Sequence, residues 1–148
     1  MNVNENRKNK LTNNENVNSN RQENKSKLYL IPKMENYIDY MLDFLHRMPK
    51  EQKYISENYG KSMFNALNKI FVLNSGIVEK RISLVEEIDM ELNFQRACLR
   101  IIKKKGYIES RKCDVALEKV NEIGKIIGGL NKYYIESLRE EKNIAKDN

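Results

Sequence analysis

Apolar residues recur along most of this chain at the three- and four-residue spacing that keeps side chains on one face of an α-helix. From Leu30 to Met48 the stripe is Met34, Tyr37, Ile38, Met41, Leu42, Leu45 and Met48. Pro32 suits the first turn of such a helix, where a missing N–H does no harm, and Pro49 stops it at or before Met48. From Lys50 to Asn74 the stripe is Ile55, Tyr59, Met63, Ala66, Leu67, Ile70 and Leu73, and Asn74-Ser75-Gly76 is a C-terminal cap signal. From Val78 to Lys105 it is Ile82, Val85, Ile88, Leu92, Gln95, Leu99 and Ile102, with Gly106 as the stop. A fourth helix starts at Ser110, a suitable N-cap, and runs to Tyr134, fraying onward to about Glu141. Its face is Cys113, Ala116, Leu117, Val120, Ile123, Gly124, Ile127 and Tyr134. No segment alternates with period two, so no sheet is expected. Short connections make consecutive helices antiparallel neighbours. The pattern therefore predicts an all-α, antiparallel up-down-up-down four-helix bundle about 30 to 40 Å long.

The pattern fails at the ends. Residues 1–27 are dominated by Asn, with Lys, Arg and Glu interleaved and only Met1, Val3, Leu11 and Val17 apolar. Such a segment buries too little apolar surface to offset its ordering entropy, which predicts a disordered N-terminal tail. It serves either as a solvated extension or as an arm that adds electrostatic contact to nucleic acid. The expected organisation is a tail over 1–27, a bundle over 28–141 and a flexible C-terminus over 142–148.

Composition narrows the class. A chain of 148 residues, 32% charged and 40% hydrophobic, fits one helical domain with a modest core. Lys and Arg outnumber Asp and Glu by 27 to 21, for a net charge of +6, which suits a polyanionic partner. No apolar run is long enough to span a membrane, and no secretory h-region is present. With two cysteines, this points to a reducing cytoplasm and free thiols. Cys113 falls on its helix's core face while Cys98 lies to the side of its own, which argues against a bridge between them.

Catalytic chemistry is scarce. His46 is the only histidine, which excludes a di-iron bundle and, with the two cysteines, leaves too few ligands for a structural zinc. It reads as a surface histidine at a helix C-terminus, and no catalytic residue, metal or cofactor is assigned. Gly124, Gly128 and Gly129 lie within a helical stripe, not after a strand, so they are no phosphate loop. Glycine inside a helix costs about 1 kcal/mol relative to alanine, and the compensation expected here is close helix packing, or else a kink that admits a partner.

Charge along the third helix is polarised. Glu79, Glu86, Glu87, Asp89 and Glu91 come early, and Arg96, Arg100, Lys103, Lys104 and Lys105 come late, followed by Arg111 and Lys112 after the turn. This order complements the helix macrodipole. It also builds a positive end. Arg96, Arg100 and Lys103 form one stripe beside the apolar face, suited either to a neighbouring subunit or to a phosphate backbone. Tyr107, Tyr133 and Tyr134 either pack at the core boundary or stack on bases.

Two blocks then resemble a known family. Leu84-Val85-Glu86-Glu87-Ile88 through Leu92 to Gln95-Arg96 is similar to the LLEEA-x-x-x-L-x-x-LR block of Avd, the accessory protein of diversity-generating retroelements. Asn121-Glu122-Ile123-Gly124-Lys125-Ile126-Ile127-Gly128-Gly129-Leu130 is similar to its D/N-EIGRMLGGW block. Met48-Pro49-Lys50-Glu51-Gln52-Lys53-Tyr54 resembles the family's turn between its first two helices. Lys125 stands where the family has Arg, and Leu130 where it has Trp. The resemblance implies a non-catalytic four-helix bundle, assembled as a homopentamer, that binds the element's reverse transcriptase and RNA or DNA in mutagenic retrohoming. It directs attention to Arg96, Arg100, Lys103, Lys104, Lys105, Arg111, Lys112 and Lys125 as binding residues. The same bundle occurs in proteins encoded by intervening sequences of 23S rRNA genes, and membership there implies a structural or interaction protein without a polymerase partner.

Overall fold

The computed structural model describes residues 3–76 and 78–147, and side chains from Val17 onward apart from Ser19 and Val78. The described residues form four helices and no strand: α1 (Val3–His46), α2 (Lys53–Asn74), α3 (Arg81–Lys105) and α4 (Ser110–Asp147). Two short 3-10 turns, Lys50–Gln52 and Val78–Lys80, occupy what the apolar pattern assigns to the starts of the second and third helices. The first follows from Pro49, which sets an extended backbone (φ −55°, ψ 140°) that the chain must tighten before α-helix resumes. Gly106 closes α3 with φ 67°, a left-handed conformation that glycine adopts without strain.

α1 departs most from expectation. It is one helix from Val3, so the boundary expected near Lys27 and the disordered tail before it are replaced by continuous helix. Met1 and Asn2 lie outside the described residues. Pro32 therefore sits inside the helix and not in its first turn. The physical reason lies in a few side chains. Neither Gly nor another Pro interrupts the run before Pro32. Glu23, although charged, is buried, paired to Lys27 at 2.7 Å and Arg81 at 3.6 Å, and accepts from the Tyr134 hydroxyl at 3.1 Å. Asn20 accepts from Tyr133 at 2.7 Å. α4 likewise continues to Asp147, through the stretch expected to be flexible, with every described residue beyond Leu138 exposed.

α1 packs on α2 and α4, and α3 packs on α2 and α4. Contacts between α1 and α4 pair rising with falling positions: Asn20 with Tyr133, Lys33 with Glu122, Tyr40 with the Lys112 carbonyl. Arg96 with Asn121 and Lys103 with Asp114 repeat this sense between α3 and α4. The stripes of the sequence point inward. Met34, Met41, Met63, Ala66, Ile70, Ile88, Leu92, Leu99, Cys113, Ala116 and Val120 are fully buried. Leu42, by contrast, is half exposed.

A polar chain threads this core. Gln95, on the apolar face of α3, is fully buried and accepts from the Tyr37 hydroxyl at 2.6 Å. Tyr37 and Tyr59 are hydrogen bonded to each other. Gln95 donates to Ser62 at 3.0 Å, and Ser62 donates to the Glu91 carboxylate at 2.6 Å. Burial raises both tyrosine hydroxyls well above their ordinary value, so they stay protonated as donors. A buried polar group without its partner costs about 1 to 3 kcal/mol, so this chain penalises any slip of α1, α2 and α3 past one another.

Candidate functional site

The residues expected to bind do not act as one stripe. Arg96 is held within the chain. Its Nε donates to Asn121 at 2.9 Å and its Nη1 to Asn93 at 2.7 Å. Its guanidinium lies across Gly124, where an added Cβ would clash with Nη2. The two sequence blocks thus meet in space: the arginine that ends the first is received by the asparagine and glycine that open the second. At Gly124 the neighbour is the Arg96 side chain of α3 and not the backbone of another helix. Gly128 and Gly129 have no such neighbour among the described residues, because a Cβ at either would meet nothing within 4 Å.

Around Arg96 the surface between α3 and α4 forms an open groove of about 650 Å³, lined by Asp114, Glu118, Glu122 and Lys125 among others. Three carboxylates to two cations make it a poor phosphate slot. Lys103 is tied to Asp114 at 2.6 Å. Arg100, Lys104, Lys105 and Arg111 are exposed, Lys112 is half-buried, and none makes an ion pair among the described residues. They ring the α3–α4 turn, which Ile108 anchors in the core. The Tyr107 amide bonds back to the Ile102 carbonyl at 3.2 Å and the Gly106 amide to Lys103 at 3.1 Å, so the turn presents its lysines from a fixed backbone. The C-terminal dipole of α3 favours cations there.

The fold adds residues that sequence patterns did not single out. Tyr40 of α1 reaches the Lys112 carbonyl at 3.4 Å, so α1 ends beside the start of α4. This brings exposed Arg47 and Lys50 to the same end of the molecule as the α3–α4 turn. Only the arrangement of helices shows it, since Arg47 and Arg111 are far apart in the chain. The tyrosines separate instead. Tyr107 is half-buried at the basic end. Tyr133 and Tyr134 lie by Arg81 at the start of α3, about 36 Å along that helix from Lys105 at 1.5 Å per residue. They are engaged by Asn20 and Glu23 and do not flank the basic end. Burial raises both hydroxyls, Tyr134 well above the ordinary range.

Cys98 and Cys113 are free and buried, and burial raises both thiols, leaving neither activated as a nucleophile. His46 is exposed at the end of α1. Among the described residues no group of His, Cys, Asp and Glu is arranged to hold a metal ion, and no helix is long and apolar enough to cross a membrane.

Four helices around one core, with distinguishing chemistry on the surface and not in a cleft, define a small helical-bundle protein. The bAvd-like family model matches residues 28–134, and the chain belongs to this family. The match takes in α1 from Leu28, all of α2 and α3, and α4 as far as Tyr134, with both sequence blocks. No curated protein matches the chain.

Proposed function

We propose that this protein is a non-catalytic accessory subunit of a diversity-generating retroelement, partnering its reverse transcriptase and binding RNA or DNA in mutagenic retrohoming. The observation that carries the reading is the coincidence of bAvd-like membership over 28–134 with an exposed basic end. In this reading the helices run up-down-up-down, which sets the α1–α2 and α3–α4 connections at one end. Arg100, Lys104, Lys105, Arg111 and Lys112 contact phosphates there, with Arg47 and Lys50 beside them. Lys103, Arg96 and Lys125 contribute positive potential from the flank. Phosphate contacts of this kind position a strand without reading its sequence. The protein works in the cytoplasm as a homopentamer, and Gly128 and Gly129, open within one chain, pack against a neighbouring subunit.

Co-expression with the retroelement's reverse transcriptase tests the partnership. A stoichiometric complex that survives size exclusion is expected. A reverse transcriptase that elutes alone, with both proteins folded, contradicts it and favours an intervening-sequence type of interaction protein.

A further inference from the structure

Among the described residues two unlike apolar faces of the bundle are left open. One is the outer side of α3, where Met90 is 70% exposed and Phe94 and Ile101 are half exposed, with Ala97 half-buried between them. Met90 and Phe94 lean toward α2, where they line a surface groove with Asn58, Lys61 and Asn65. The other face lies along α1 and α2. Tyr40 reaches α4 and Ser62 reaches α3. Two residues on, a rotation of about 200°, Leu42 and Phe64 point away from those helices, toward the seam between α1 and α2. Both are half exposed, as is Phe71, and Leu28 is 72% exposed. Gly60 precedes Phe64 by one turn on the same side of α2, and a Cβ there would meet nothing within 4 Å. Glycine inside a helix costs about 1 kcal/mol relative to alanine, and nothing among the described residues uses the space it leaves.

The two faces match in height and in charge. Tyr37 meets Gln95 and Glu23 meets Arg81, so a residue of α1 stands level with the residue of α3 that is 58 positions on. Leu42 is therefore within one residue of level with Ile101. Ser62 meets both Glu91 and Gln95, which sets Gly60 about level with Phe94 and Phe64 about level with Met90 on the antiparallel α2. Exposed Arg21 and Lys25 come early on α1 and exposed Glu35, Asp39 and Asp43 late, whereas α3 is acidic early and basic late. Resting on the five-membered ring proposed above, we infer that the outer face of α3 on one copy docks on the α1–α2 face of the next, with the helices of all copies along the five-fold axis. Equal heights then meet. Phe94 enters the space over the partner's Gly60, Met90 packs on the partner's Phe64, and Ile101 packs on the partner's Leu42. Glu86 and Glu87 face the partner's Lys25. An inverted neighbour sets acid on acid, so the charge order selects the level one. The α3 face leans toward α2 and is not back to back with the α1–α2 face, so each added copy turns the assembly toward closure. The contact stops at Ile101. It leaves Arg100, Lys104, Lys105, Arg111 and Lys112 to solvent and brings all five basic ends to one side of the ring.

Ala97 on one face and Glu57, two turns before Phe64 on the other, also stand about level. A full chain carrying both Ala97→Cys and Glu57→Cys should form, on mild oxidation, a ladder of disulfide-linked species that ends at five copies on a non-reducing gel. Either single cysteine variant should form none. Phe94→Glu and Phe64→Glu, both at exposed positions, should each reduce the native five copies to one in sedimentation equilibrium, with helical circular dichroism intact. Mixed in equal amounts these two variants should give two copies, because one intact α3 face then meets one intact α1–α2 face. Five copies that survive both glutamate variants, or five copies with no ladder from the double-cysteine chain, overturn the inference while the ring stands. Dimers linked by either single cysteine variant overturn it too, since like would then meet like. A native chain that is monomeric overturns the contact and the ring together, and leaves the partnership with the reverse transcriptase to its own co-expression test.

Discussion

Arg96 and Gly124 illustrate how one missing atom fixes a side chain. The guanidinium needs the space of a Cβ, and Asn121 and Asn93 hold it there. Gly124→Ala therefore gains helix propensity, about 1 kcal/mol, but displaces Arg96 from hydrogen bonds that contribute about 0.5 to 1.5 kcal/mol each. In the native background the net effect should run from neutral to a loss of about 2 kcal/mol. In an Arg96→Ala background only the gain remains, so Gly124→Ala should stabilise by up to about 1 kcal/mol in denaturant melts. Equal effects in both backgrounds would mean that the two residues are uncoupled. At the other end, Glu23 titrates below the ordinary glutamate value: burial opposes this, but Lys27, the Tyr134 hydroxyl and Arg81 together outweigh it. A carboxyl lowered in the folded state contributes stability that is complete above the unfolded value, about 4.3, and is lost as pH falls through the lower folded value. The melting-temperature gap between the native chain and Glu23→Gln should therefore be widest near pH 6 and close progressively below about pH 4. A gap independent of pH would remove the ion cluster from the account.

The helices show where sequence patterns suffice and where they stop. All four apolar faces were legible because each repeats over several turns. Gln95 fell on such a face and is indeed buried, but its two partners, Tyr37 and Ser62, come from α1 and α2 and no local pattern announces them. The length of α1 was not legible for a related reason. Composition makes 1–27 look unable to bury anything, whereas Glu23 is buried by pairing with residues more than fifty positions away. This difference has a direct test. Deleting residues 1–19 should leave the melting temperature close to native. Deleting 1–27 strips Tyr134 and Arg81 of their carboxylate and should cost about 1 to 3 kcal/mol. Equal melting temperatures for the two truncations would show that the segment around Glu23 adds no stability.

For the molecule as a whole, the central claim is that one end of the bundle meets phosphates. The charge order along α3 was visible in the sequence, but its division was not. Arg96 and Lys103 are tied inside the chain, while Arg100, Lys104, Lys105, Arg111 and Lys112 are left without ion pairs among the described residues. The groove around Arg96 carries too many carboxylates for a polyanion. The decisive measurement is RNA affinity against salt for three proteins: native, a variant with those five residues changed to glutamine, and a control with Lys61, Lys132, Arg139, Lys142 and Lys146 changed to glutamine. Both variants lose the same charge. The account predicts that the slope of log K against log salt flattens by about 0.7 to 0.9 per contact removed in the first variant and stays near native in the control, with helicity unchanged in both. Equal flattening in the two variants, or none in either, would contradict it.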